Sequence, residues 1–119
     1  MIAALPLRSD TEKSAVSLKF ARCQFFAIID KERKTCTMIR NKYFAESSQV
    51  GKQVYSELMK HKVNTLIAYE LGLKVQQMAN RKKHQLIILN QKKTQLKDLL
   101  NLMRGKDETR KWKIIRHQE

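Results

Sequence analysis

Residues 25–39, with the sequence FFAIIDKERKTCTMI, indicate a β-hairpin in the first third of the chain. Phe25–Ile29 form a continuous run of apolar, β-favouring residues, which is typical of a strand buried on both faces. Asp30–Arg33 are polar and interrupt that run, and Thr35–Ile39 then alternate so that successive side chains face opposite sides. The stretch therefore predicts two adjacent antiparallel strands.

Strands and helices are predicted on both sides of this hairpin. Apolar runs indicate strands, and recurrence at helical spacing indicates helices. The predicted elements are strands 2–6, 63–68 and 85–89 and helices 50–61, 71–82 and 96–103, with Ser47 or Ser48 capping the first helix and Gly105 ending the last. The order is β-ββ-α-β-α-β-α. Strands separated by helices run parallel, so we expect an α/β fold with a mixed five-stranded sheet in a ribonuclease H-like, three-layer arrangement.

The length and composition predict one domain over residues 1–104, followed by a basic, polar and loosely held tail over residues 105–119. No apolar run approaches the length of a membrane span, so we expect a cytoplasmic protein without a membrane partner. Cys23 and Cys36 are not expected to face each other across the hairpin. Two reduced thiols fit that compartment, and the favoured interpretation of each cysteine is a small buried apolar residue.

The charge is strongly positive, +14 over the whole chain. From Lys74 onward there are 13 Lys and Arg against 4 Asp and Glu. Such a surface attracts anions, which leaves open an anionic metal cluster, non-specific binding of nucleic acid, or simply a solvated lysine face. Nucleic-acid binders usually interleave aromatic residues with their cations, whereas this region contains the single aromatic residue Trp112.

The motifs of enzymes are missing from the sequence. The three histidines lie on separate predicted elements, and no phosphate-binding glycine loop or nucleophile elbow occurs. A two-metal nuclease of similar topology needs a carboxylate on the first strand, and Ile2–Pro6 contains none. We therefore expect a binding protein, not an enzyme.

Three segments together resemble the dinitrogenase iron–molybdenum cofactor-binding family. Ile2–Pro6 is similar to the family's opening strand. Lys19–Phe26 lies where the family has an H-F-G-R-x-x-Y-F stretch, and residues 50–54 and 66–72 resemble its G-x-Q helix and its G-P-N-A-like turn. The resemblance spans roughly residues 1–104. It implies a ribonuclease H-like fold without nuclease activity and a carrier or chaperone role for an iron–sulfur or iron–molybdenum cluster, with a protein partner in cluster assembly or transfer.

This sequence departs from the family pattern at two positions. Lys19 replaces the family histidine, and Ala21 replaces the glycine. A protonated lysine cannot ligate a metal, so Cys23 is the candidate metal ligand that could replace the histidine. Arg22 could bind an anion or equally pair with Glu70. The departures also fit a degenerate orphan that has lost its cluster.

The predicted topology brings the candidate binding residues together. The loops after the first strand and after strand 63–68 lie beyond the carboxyl ends of neighbouring parallel strands, where open α/β sheets bind ligands. We expect Cys23 to be partly accessible there, with its thiol pKa lowered by neighbouring cations. The candidate cofactor-binding residues are Arg8, Ser9, Lys19, Arg22, Cys23, Tyr69, Gly72 and Lys74.

Overall fold

A computed structural model describes residues 1–45, 50–91, 93–104 and 111–116 of the chain. The predicted helix-capping residues Ser47, Ser48 and Gly105 lie outside these ranges. Within the described part, no helix is long and apolar enough to cross a membrane.

In the described ranges, six strands and three helices follow one another in nearly the predicted order. The predicted ends of the elements differ from the observed ends by at most two residues. The elements are β1 (Ile2–Leu7), β2 (Phe25–Asp30), β3 (Thr35–Arg40), α1 (Val50–Met59), β4 (Thr65–Ala68), α2 (Leu73–Arg81), β5 (Gln85–Ile88), α3 (Leu96–Met103) and β6 (Lys113–Arg116).

All six strands form one mixed sheet in the order β5-β4-β1-β2-β3-β6. β1, β4 and β5 are parallel, and β2 pairs antiparallel with both β1 and β3. The hairpin therefore extends the edge of the first strand, as the sequence predicts, because its four-residue connection permits an antiparallel return and no crossover.

Helices cover both faces of the sheet. α1 and α2 bury their apolar sides in one core cluster, which includes Val54, Leu58 and Val75. α3 packs on the opposite face, where Leu96, Leu99 and Leu100 join a second cluster with β1 and β3. The three-layer α/β fold predicted from the sequence is confirmed.

The sheet has one strand more than predicted. β6 lies within residues 105–119, which the sequence predicts to be a loosely held tail, and it pairs parallel with β3. Ile114 and Trp112 pack against the core cluster on the α3 side. A predominantly polar segment joins the sheet here because backbone hydrogen bonds and two apolar contacts offset the cost of ordering it. The domain boundary at residue 104 stays a prediction.

Candidate functional site

One cavity of about 860 Å³ opens at the end of the sheet where β1 and β4 terminate. Because these two strands are parallel neighbours, the loops that follow them emerge at the same edge. The first turns of α1 and α2 complete the walls. Its lining residues are Leu18, Lys19, Phe20, Ala21, Arg22, Val50, Gly51, Lys52, Gln53, Glu70, Leu71, Gly72, Leu73, Lys74 and Val75.

Asn41 fixes the loop that carries Lys19 and Arg22. It follows β3 directly and is buried, and its side-chain amide donates hydrogen bonds to the carbonyl oxygens of Ala21 and Cys23, both at 2.9 Å. Its Oδ1 accepts the backbone N–H of Tyr43 at 3.0 Å. A buried amide with both ends satisfied holds a loop in a defined position. Asn41 was not among the predicted site residues, because an asparagine after a strand is an ordinary turn residue.

Ser14 supports the preceding part of the same loop. Its buried hydroxyl oxygen accepts the backbone N–H groups of Arg8 at 3.2 Å and Ser9 at 3.0 Å. Its own proton goes to the carbonyl oxygen of Ala15 at 3.0 Å. The backbone amide of Ser9 is thus committed to holding the loop.

Positive charge dominates the cavity. Four cationic side chains line it, Lys19, Arg22, Lys52 and Lys74, against the single carboxylate of Glu70. Lys52 was not among the predicted site residues, because it becomes a neighbour of Lys19 only when α1 packs beside the loop. All four cations are exposed.

Two helix N-termini add to this field. The first turn of α1 and the first three residues of α2 line the cavity, and neither helix has an acidic residue in its first turn. Gly72, the N-cap residue of α2, makes no side-chain capping hydrogen bond. The helix dipole and the N–H groups at the start of a helix favour an anion at such a terminus.

The two helices approach closely beside the cavity. A Cβ added at Gly51 would lie 3.0 Å from Cγ2 of Val75, so the absence of a side chain at position 51 lets α1 and α2 approach this closely. Leu18 and Leu73, both exposed, flank the mouth, and Phe20, Leu71 and Val75 form buried parts of the wall. The cavity therefore combines cations at the rim with a largely apolar wall.

The predicted site residues separate into three groups. Lys19, Arg22, Gly72 and Lys74 line the cavity together. Arg8, Arg22 and Cys23 border another, smaller cavity of about 430 Å³. Ser9 and Tyr69 border neither. The Tyr69 side chain packs in the core cluster on the α3 side, and its hydroxyl oxygen accepts the N–H of Thr94 at 3.0 Å.

The predictions that Cys23 is partly accessible and that its thiol pKa is lowered are both wrong. The residue is 2% exposed, and burial raises the pKa of its thiol to about 12 despite hydrogen bonds from the backbone and Asn41. Cys36 is also free and buried, and burial together with the charge of Glu12 raises its thiol pKa to about 12. Within the described residues, no three His, Cys, Asp or Glu side chains are grouped as a metal site.

Comparison with known proteins gives one family and several structural likenesses. The sequence model of the family described as dinitrogenase iron-molybdenum cofactor matches residues 1–105. Among solved structures, the apo form of the orange protein from Desulfovibrio gigas has a TM-score of 0.75 at 15% identity, over 84% of this chain and 83% of that one.

A second solved structure shares the fold. A candidate NifB protein from Thermotoga, a member of the DUF35 family, has a TM-score of 0.70 at 22% identity, over 84% of each chain. A search of curated protein sequences gives no match.

Proposed function

Because the chain belongs to the dinitrogenase iron–molybdenum cofactor family, we propose that it is a carrier for an anionic iron–sulfur or iron–molybdenum cluster, bound in the cavity between α1, α2 and the loop after β1. The observation that carries the proposal is the convergence of four cationic side chains and two helix N-termini on one cavity. The name of the matching family supplies the class of cargo.

Charge is the means by which this cavity would hold its cargo. A metal–sulfur cluster that keeps its own sulfide ligands is an anion, and it needs no ligand from the protein. Cys23 is buried and protonated, and Lys19 is a cation where the family has a histidine, so neither offers a ready metal ligand. Lys19, Arg22, Lys52 and Lys74 instead neutralise charge around a non-covalently held cluster.

The apolar wall suits a sulfide-covered cargo better than a strongly hydrated oxyanion. Phe20, Leu71 and Val75 offer no hydrogen bonds to replace lost water, and desolvating a small hard anion against them is costly. Polarisable sulfide surfaces lose less hydration and gain dispersion contacts there. This balance favours clusters over phosphate or sulfate.

A carrier role without catalysis is the interpretation that we favour. The description of the matching family names a cofactor, and a cargo that is only held must be delivered to a protein partner. The alternative of a nucleic-acid-binding module gains no support from these comparisons. Catalytic inactivity and a cytoplasmic location stay predictions.

The test is anaerobic equilibrium dialysis of the full chain with tetrathiomolybdate, a small sulfide-covered dianion, followed by molybdenum analysis. We expect saturable binding that weakens as salt is raised, because the cavity acts through charge. Lys52→Gln and Lys74→Gln should each weaken binding by about threefold to tenfold, the effect of one charge contact in a partly screened site.

Lys97→Gln is the matched control. Lys97 is exposed on α3, which packs on the opposite face of the sheet, so the same loss of charge there should leave the dissociation constant within about twofold. Equal losses in all three variants would show that the whole-chain charge, and not the cavity, attracts the anion. Equally tight binding of sulfate would contradict the proposed class of cargo.

A further inference from the structure

β5 presents an unpaired backbone edge. It is an edge strand of the sheet, and no described segment pairs with its outer side. The N–H groups of Gln85 and Leu89 donate to the carbonyl oxygens of Asn64 and Ala68 in the parallel ladder. By the alternation of such ladders, the N–H and C=O groups of Leu86 and Ile88 point away from the sheet.

The two edges of the sheet differ in how they are protected. β6 closes the opposite side of the sheet and has a cation at each end, Lys113 and Arg116. β5 has no charge, no proline and no bulge in its register with β4, and Ile88 is 56% exposed. Natural edge strands normally include charges that discourage pairing. The β5 edge lacks that protection and has the composition of a pairing strand.

Positive charges flank this neutral edge at both ends of the strand. The exposed cations Arg81, Lys82 and Lys83 precede β5, and the exposed Lys93 follows it, whereas residues 84–91 contain no charged side chain. We propose that the β5 edge binds an extended segment of a partner protein, apolar in its centre and acidic at its ends, as a seventh strand of the sheet. A second copy of this chain fits poorly, because each copy has a net charge of +14 and would bring like charges together.

The test uses the full chain and a synthetic peptide with alternating valine and threonine in its centre and two glutamates at each end. Binding is followed by backbone amide NMR and hydrogen exchange. We expect the amides of Leu86 and Ile88 to become protected, while that of Ile87, already directed toward β4 by the register, changes little. Binding should weaken with added salt, because its end contacts are ionic.

Two variants at one position distinguish backbone pairing from non-specific hydrophobic binding. Ile88→Pro removes an outward N–H without touching the β4 ladder, and an edge strand tolerates proline there, so we expect peptide affinity to drop by roughly tenfold. Ile88→Val keeps the amide and should bind within about twofold of the wild type.

Three outcomes would overturn the proposal. One is the absence of protection at Leu86 and Ile88 at peptide concentrations that saturate the shifts. Another is equal binding by the proline and valine variants, and the last is salt-strengthened self-association of the chain through the same amides. Should Ile88→Pro fail to fold, a peptide with a central proline tests the same hydrogen bonds from the other side.

Discussion

Single residues decide what the rim of the sheet can bind. The cations Lys19 and Arg22 lie close to Cys23 in the sequence, and this proximity predicts a lowered pKa for its thiol. In the fold those cations are exposed, whereas Asn41 draws the Cys23 backbone inward. Desolvation of a thiolate then outweighs the attraction of screened surface charges, and the pKa rises to about 12.

Alkylation of the thiols tests directly whether Cys23 is buried and protonated. With the pKa of Cys23 at about 12, about one thiol in 10⁴ is ionised at pH 8, and the sulfur is buried besides. We expect iodoacetamide to leave both cysteines of the native chain unmodified over hours, and to alkylate both within minutes in guanidinium chloride. Peptide mass spectrometry gives the extent at each site.

Cys36 is the internal control, since it is equally buried with a similarly raised thiol pKa. Fast alkylation of Cys23 alone in the native chain would show that the loop opens to expose a thiolate. The assignment of Cys23 as a metal ligand, still a prediction, would then regain support.

At the level of elements, the connections use lysine where glycine is more usual. Lys62 after α1 and Lys83 after α2 both have left-handed backbone conformations, with φ of 61° and 58°. The chain has three glycines in total, so these turns do not use the residue that adopts such angles without steric cost. Each turn therefore retains some strain that a substitution can remove.

Lys83→Gly should stabilise the fold by about 0.5 kcal/mol, because relief of the left-handed strain exceeds the added entropy of a glycine in the unfolded chain. Urea unfolding monitored by circular dichroism measures the change. The neighbouring Lys82→Gly is the control. Lys82 has φ of −90°, so glycine there relieves no strain and should cost about 0.5 kcal/mol. A gain in both variants would point to relief of charge repulsion instead of backbone strain.

For the whole molecule, the attachment of β6 to the sheet depends on one tryptophan and one buried lysine. Nε1 of Trp112 donates to the carbonyl oxygen of Leu100 at 2.8 Å. Nζ of Lys34 lies 4.9 Å from the centre of the Trp112 ring and donates to the carbonyl oxygens of Met103 and Arg104. An ammonium so placed satisfies carbonyl groups at the end of α3 and stabilises the ring by a cation–π contact.

Trp112→Ala should release β6 without unfolding the rest. The loss of the Leu100 hydrogen bond and the cation–π contact predicts amide exchange at least about tenfold faster over residues 113–116, with β1 and β4 little changed. Hydrogen-exchange mass spectrometry resolves these segments. Trp112→Phe keeps a ring over which Lys34 can lie, so its exchange rate over residues 113–116 should fall between those of the wild type and Trp112→Ala. Equal acceleration in β1 would mean that β6 is part of the global unfolding unit.

The candidate site was partly predictable. Lys19, Arg22 and Lys74 were predicted to meet because parallel neighbouring strands place their following loops at one edge of the sheet, which the element order alone implies. Lys52 and Asn41 were missed, since their roles arise from how α1 and the end of β3 pack beside the loop.

The sequence by itself determined the order of the elements, the antiparallel hairpin, the parallel strands and the edge at which the loops meet. Apolar periodicity and short connections encode these features locally, within about ten residues. Tertiary structure alone decided that Cys23 is buried, that Tyr69 packs away from the cavity, and that residues 113–116 form a sixth strand. Burial and strand pairing between distant segments depend on the packing of the whole chain, and a local pattern does not contain that information.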